Sequence, residues 1–278
     1  MTGPKTAAIL QMTSGIDPAA NAAILADAIA QARERGADMV FTPEMSNLID
    51  RDRARAGSAI VAEDQDQVLA GVRDAAAKAG LWVHLGSIAI LHDDGRYANR
   101  GYVIDASGEI RARYDKLHLF DVDLASGESW RESAAYVAGG HAVVVATPLG
   151  MLGLSICYDL RFPVLYTALA RAGATVLAVP SAFTRPTGQA HWQTLLRARA
   201  IENAAFVIAA AQTGEHADGR ATHGHSLAVD PWGDMLCDAG AAAGLSYVSI
   251  DQLRVEEVRA RIPVLAHARA VPPVEVTA

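Results

Sequence analysis

Short apolar runs alternate with stretches of helical period along the whole chain of 278 residues, and this alternation constrains the fold more than any other feature. The first run, Thr6 to Met12, is followed by Ala19 to Arg35, where Leu25, Ile29 and Ala32 recur at spacings of four and three before Gly36. Asp38 to Thr42 is again short and apolar. Asp66 to Ala79 then carries Val68, Val72, Ala75 and Ala79 on one helical face and stops at Gly80. Strands are expected at 81–90, 97–105 and 109–114, with DDGR at 93–96 and Ser107-Gly108 as hairpin turns. Residues 117–140 lack periodicity and read as a long loop with short helical pieces. Strands at 142–147 and 151–156, the second ending at Cys157, precede a helix that starts near Pro163 and closes at Gly173. A strand at 175–179, a helix at 188–203, strands at 206–212, 226–229, 235–237 and 246–250, and a helix at 252–261 complete an α/β pattern. With no repeat, linker or composition break, one domain over 1–278 is expected; its apolar, proline-bearing tail from about 263 to 278 is suited to be an arm on a second subunit.

A hydrophobic content of 51% against 20% charged residues is enough for a large core without crosslinks. The formal charge of -7 points away from nucleic acid and from a basic membrane patch, and leaves small molecules as the expected partners. No apolar run approaches the roughly 20 residues that cross a bilayer, and MTGPKTAAILQM lacks the features of a leader, so a cytoplasmic protein is expected. Cys157 and Cys237 are too few for a disulfide framework and read as free thiols. Only Lys5, Lys78 and Lys116 are lysines among the 24 basic residues, and a lysine kept at 116 suits a site that needs a compact ammonium rather than a planar guanidinium.

Glu44, Lys116 and Cys157 each follow an expected strand, the position at which α/β sheets present groups to ligands. Taken singly, each has a plainer explanation, as a solvated acid, a surface cation and a small core residue. Together they sit in three segments, FTPE at 41–44, YDKLHLFD at 114–121 and GLSICYDLRFP at 153–163, that resemble in order and spacing the signatures of the nitrilase, or carbon-nitrogen hydrolase, superfamily. ES at 132–133, PSAF at 180–183, HW with RARAIEN at 191–203, GHS at 224–226 and DPWG at 230–233 extend the resemblance over nearly the whole chain.

The resemblance implies a four-layer α-β-β-α sandwich, dimers formed through extended sheets and C-terminal arms, and a Glu-Lys-Cys triad with a second glutamate. These carry over to Glu44, Lys116, Cys157 and Glu132, with Glu128 in the same segment as the alternative to Glu132. The chemistry is that of a cysteine-dependent amidase, with no cofactor or metal. Amide hydrolysis needs a nucleophile better than water, a proton for the departing amine and positive charge beside the oxyanion. Cys157 is expected to be thiolate-like, its pKa drawn below about 8.5 by the neighbouring ammonium. Lys116 and the backbone N–H of Tyr158 are expected at the oxyanion, Glu44 as the shared acid and base, and Glu132 as the group that orients Lys116.

Other readings stay open at this stage. His118 or His191 would serve a Cys-His hydrolase, and His223 with His225 a metal. GLSIC approaches a serine elbow but lacks the closing glycine, which leaves Ser155 a structural role, and Cys237 is expected to be buried without function. A silent binding protein would need a broken triad, and an ATP-dependent synthetase would need a phosphate loop that the chain does not contain. The flanking segments are similar to the small-amidase branch acting on deaminated glutathione, and nearly as similar to the omega-amidases. Such substrates are anionic, so Arg161, Arg185 and Arg199 are candidates for a substrate carboxylate, with Phe183 and His191 as further substrate contacts. The stretches DRDRAR at 50–55 and TGEHADGRATH at 213–223 depart from the pattern and are expected to reshape the entrance.

Overall fold

A computed structural model describes residues 3–123 and 129–277. The first half of the chain contains β1 (Lys5–Gln11), α1 (Pro18–Glu34), β2 (Met39–Phe41), α2 (Arg53–Ala59), α3 (Gln67–Ala79), β3 (Trp82–Leu91), β4 (Tyr97–Ile104), β5 (Ile110–Asp115), β6 (Asp121–Asp123), β7 (Ser129–Arg131) and β8 (Tyr136–Val137). The second contains β9 (Val144–Thr147), β10 (Gly150–Leu154), α4 (Pro163–Arg171), β11 (Val176–Ala178), α5 (Arg185–Asn203), β12 (Phe206–Ala209), β13 (Thr213–Glu215), β14 (Ala221–His223), β15 (Leu227–Val229), β16 (Met235–Asp238), β17 (Gly244–Ile250), α6 (Gln252–Arg261) and α7 (Val264–His267).

Two mixed sheets form the centre. One runs β17-β1-β2-β3-β4-β5, with β8 also paired to β4, and the other runs β16-β15-β12-β11-β10-β9. The period of two along β1 shows how they stack. Ala8 and Leu10 pack outward with Leu25 and Ile29 of α1 and Val68 and Val72 of α3. Ala7 and Ile9 face the other way, into a core shared with Leu154, Val176 and Ala178 of the second sheet and with Leu165, Trp192 and Leu196 of α4 and α5. The result is the four-layer α-β-β-α sandwich that the resemblance implies.

Local chemistry explains the element ends. The Asp17 carboxylate caps α1 by accepting from Ala19 N–H at 2.9 Å, with Pro18 in the first turn, and Asp66 caps α3 through Leu69 N–H at 2.8 Å. Gly80, at φ 60°, closes α3 in the left-handed conformation that a glycine adopts without strain. Both expected hairpin turns join antiparallel pairs, β3 with β4 and β4 with β5, and β9 also pairs antiparallel with β10. The structure departs from the expectations where hydrophobic period was weak. Asp52, within DRDRAR, caps a short helix, α2, that buries none of its residues, and 213–223 is a hairpin of β13 and β14. The segment after Lys116, expected as a long loop with short helical pieces, contains one 3-10 turn, Glu132–Ala134, and also the unforeseen paired strands β6 and β7. α5 begins at Arg185 rather than Gly188, with Pro186 in its first turn.

Candidate active site

Three different local devices bring the strand-end groups together. Beyond β2, Thr42-Pro43 turns the chain to Glu44, and a Cβ on Gly86 would stand 2.1 Å from Thr42 O, so only glycine lets β3 pass this close to the turn. Lys116 follows β5, with its backbone N–H donating to Asn99 O at 3.0 Å. β10 ends at Leu154, two residues before the expected end at Ile156, because the chain must turn sharply to present Cys157. Cys157 opens a 3-10 segment, 157–161, at φ 49°, a left-handed conformation that costs energy for a residue with a side chain. Its N–H donates to Pro180 O at 2.9 Å, and the Asp159 carboxylate braces the turn by accepting from Ile156 N–H at 2.9 Å and Tyr114 Oη at 2.7 Å.

Lys116 Nζ donates to Glu44 Oε1 at 2.9 Å and to Glu132 Oε2 at 2.9 Å. Asn99 Nδ2 bridges the same two carboxylates, reaching Glu44 Oε1 at 2.9 Å and Glu132 Oε1 at 3.3 Å. Backbone donors complete the clamp: Ala182 N–H reaches Glu44 Oε2 at 2.9 Å, and Phe120 N–H reaches Glu132 Oε2 at 2.6 Å. Glu44, Lys116 and Cys157 are all buried. Glu132 is thus brought to Lys116 beside Glu44, while the alternative, Glu128, lies outside the described residues.

The electrostatics follow from this burial. Desolvation pushes the Glu44 carboxyl up, but the charge of Lys116 and hydrogen bonds from Cys157, Lys116 and Asn99 outweigh it and leave the carboxyl below its ordinary range. Burial pushes Lys116 down, yet Glu132, Glu44 and Cys157 hold it well above the usual ammonium value. The thiol departs from expectation. Burial, then the adjacent Glu44 charge, raise Cys157 well above the ordinary thiol range, and Lys116 only partly opposes them. Burial and the Glu44 charge thus outweigh the ammonium at the thiol, which is shifted away from, not towards, the thiolate expected from an ammonium alone.

Tyr158 follows Cys157 within the 3-10 segment, its ring edge-on to Phe120 at 5.1 Å and to Phe162 at 5.4 Å. Arg161, Phe183 and His191 come together: the Arg161 guanidinium carbon lies 5.6 Å from the Phe183 centroid, and its Nη2 is 3.3 Å from His191 Nδ1. Arg185 stands apart, exposed and 3.7 Å from Glu215. Arg199 is turned into the core, donating to Leu160 O at 3.1 and 2.8 Å and to Glu202 at 2.7 Å. His118 is engaged by Asp159 at 2.7 Å and stacks on Phe162 at 3.6 Å, rather than serving the thiol. His223 and His225 stack at 4.6 Å, and among the described residues no group of three or more His, Cys, Asp or Glu is arranged to hold a metal. Ser155 Oγ is spent on Ala178 O at 2.7 Å and Tyr166 Oη at 2.8 Å, and Cys237 is half-buried against the core.

Asn99 was missed in the sequence. Its signal is the period of two along β4: Asn99 shares a face with Val103, which enters the core between the sheets, and an amide in that register must find polar partners.

The Carbon-nitrogen hydrolase family profile matches residues 6–260. A deaminated glutathione amidase from Yersinia enterocolitica is 39% identical over 95% of this chain and 93% of its own length. The crystal structure of the Caenorhabditis elegans NitFhit protein superposes with a TM-score of 0.89 at 39% identity, covering 96% of this chain and 66% of that one. A variant of the amidase from Nesterenkonia sp. AN1, showing Michael addition of acrylamide at its active-site cysteine, matches at 28% identity and a TM-score of 0.77, covering 93% and 98% of the two chains. The chain belongs to the carbon-nitrogen hydrolase family, and it is an enzyme that hydrolyses carbon-nitrogen bonds other than peptide bonds.

Proposed function

We propose that the enzyme hydrolyses the amide of deaminated glutathione through a thioester on Cys157, releasing 2-oxoglutarate and cysteinylglycine. The observation that carries the mechanism is Glu44, with one oxygen held by Lys116 and Asn99, the other by Ala182 N–H, and a hydrogen bond to the Cys157 thiol. A base fixed on both oxygens is preorganised to take the thiol proton as sulfur attacks the carbonyl. Lys116 and the Tyr158 N–H stabilise the oxygen that becomes negative. Glu44 then gives the proton to the departing amine and takes one from the water that opens the thioester. Glu132 keeps Lys116 in place and balances its charge.

The substrate reading is supported by the 39% identity to the Yersinia enterocolitica enzyme over nearly its full length. A substrate carboxylate finds a cation at Arg161, beside Phe183 and His191. Two further assignments belong to the proposal. The whole of 1–278 acts as one domain, and its arm packs on a second copy, which would cover Val271, Val274 and Val276, now 86%, 83% and 90% exposed. A cytoplasmic location fits two unpaired cysteines. No helix among the described residues is long and apolar enough to cross a membrane.

The test is a set of specificity constants for deaminated glutathione, 2-oxoglutaramate, N-carbamoyl amino acids and simple nitriles, without ATP. Deaminated glutathione should have the highest value, and Cys157→Ala should abolish it. A preference for nitriles or carbamoyl compounds would defeat the substrate reading and leave the nucleophile standing.

A further inference from the structure

Lys116 and Cys157 come from different sheets, and each is fixed to its own. Lys116 N–H donates to Asn99 O at 3.0 Å and its carbonyl accepts from Gly139 N–H at 2.9 Å, whereas Cys157 N–H donates to Pro180 O. The core between the sheets is apolar, and hydrophobic attraction has no direction. It closes the gap without fixing the sulfur and the ammonium to a fraction of an ångström, the scale to which catalysis responds.

One carboxylate spans that gap. The Asp159 side chain is wholly withdrawn from water, and both of its oxygens are engaged. Oδ2 accepts from Ile156 N–H at 2.9 Å, immediately before Cys157, and from Tyr114 Oη at 2.7 Å. Oδ1 accepts from His118 N–H at 3.0 Å and from His118 Nδ1 at 2.7 Å. Tyr114 and His118 flank Lys116, two residues away on either side. Asp159 N–H also donates to Ile156 O at 3.1 Å, so the elbow is gripped from both directions around Cys157. A residue at φ 49° keeps that conformation only where its surroundings hold it, and here part of the hold comes from the strand end that carries the lysine.

We propose that Asp159 is a positioning residue whose carboxylate sets the separation between the Cys157 sulfur and the Lys116 ammonium. The inference rests on the reading of Cys157 as nucleophile and Lys116 as oxyanion donor, and it gives His118 a role in which no proton is transferred. Cutting the link lets the elbow relax away from Lys116. The hydrogen bond between Glu44 and the thiol does not run through Asp159 and is kept. The oxyanion then forms further from its ammonium, and the thiol loses part of the influence that draws its pKa down.

Replacing Asp159 itself would remove a charge together with the link, so the experiment alters its donors. Tyr114→Phe deletes one oxygen, His118→Ala deletes one ring, and the backbone bonds stay. With deaminated glutathione or 2-oxoglutaramate as substrate, each variant should lower kcat about 10-fold and the two together about 100-fold, with KM within about threefold of the wild type. His118→Asn, whose amide can donate where Nδ1 does but cannot shuttle a proton, should recover most of the His118→Ala loss. In a Cys237→Ser background, the titration of Cys157 followed by iodoacetamide alkylation should move to higher pH in the paired variant. An unchanged kcat, a loss carried by KM, no recovery in His118→Asn, or a thiol titration that stays in place or falls would overturn the proposal. If the paired variant does not fold, Tyr114→Phe alone carries both measurements. If Cys157→Ala still hydrolyses amides, the functional reading falls separately, and the alkylation profile still decides the link.

Discussion

Lys116 Nζ stands 2.9 Å from Glu44 Oε1 with both side chains almost wholly withdrawn from water, at 3% and 5% exposure. A buried pair of this kind is costly to assemble and more costly to break, since removing one partner leaves the other charged and unsolvated. Lys116→Ala should therefore lose catalysis and stability together. An oxyanion donor contributes about 3 to 4 kcal/mol to the barrier, so turnover should fall by a factor of about 100 to 1,000. Two carboxylates left without their cation should cost about 3 to 5 kcal/mol of folding stability. Steady-state rates and denaturant melts on the same preparation check both, and near-normal turnover in a folded variant would remove Lys116 from the mechanism.

The direction of the Cys157 shift gives a second prediction. Glu44 raises the thiol through its charge and through their hydrogen bond, while Lys116 lowers it. Glu44→Gln removes the first influence and keeps the second. The thiol pKa should fall, and alkylation by iodoacetamide near neutral pH should quicken, even as amide turnover drops by at least a hundredfold for want of a base. The measurement belongs in a Cys237→Ser background, so that one thiol is followed. A variant whose thiol titrates at the wild-type pH would mean that burial alone sets the thiol.

What could be read from the residues divides along physical lines. β1, α1 and α3 were legible because their apolar positions repeat over several turns or a full strand, and burial enforces the repeat. The positions of Glu44, Lys116 and Cys157 after strands were legible because motif spacing and strand ends coincide. α2 and the β13-β14 hairpin were not, since α2 buries none of its residues and such elements leave no hydrophobic period. The protonation of Cys157 was not legible either. It is set first by burial of the sulfur and then by the charge of Glu44, with Lys116 only partly opposing them, and how deeply a strand-end residue is buried is a tertiary property that no local motif carries.

Asn99 separates positioning from charge. Its amide nitrogen touches both carboxylates that hold Lys116, yet it brings no charge of its own. Asn99→Ala should reduce kcat by about 10- to 100-fold by loosening Glu44, in keeping with the sensitivity of catalysis to small misplacements. It should do so with less effect on KM and a shift of the acidic limb of the pH profile towards higher pH, since one of the bonds that lower the Glu44 pKa is gone. Equal losses in kcat at every pH, with that limb unmoved, would assign Asn99 to packing alone.

His84, paired opposite Phe41 in the central sheet, is 2% exposed and its Nδ1 has no partner; burial holds its pKa down to about 3. An unfolded histidine titrates near 6.5, so between those two values the unfolded chain binds a proton that the folded chain refuses. Folding carries no penalty from this group above about pH 6.5, and below it stability should fall by up to about 1.4 kcal/mol for each pH unit until about pH 3. Between pH 7 and pH 5 the wild type should therefore lose about 2 kcal/mol more than His84→Leu, which has no proton to refuse. Urea melts of the two proteins at both pH values measure the difference directly, and parallel losses would show that the ring takes up its proton inside the folded core.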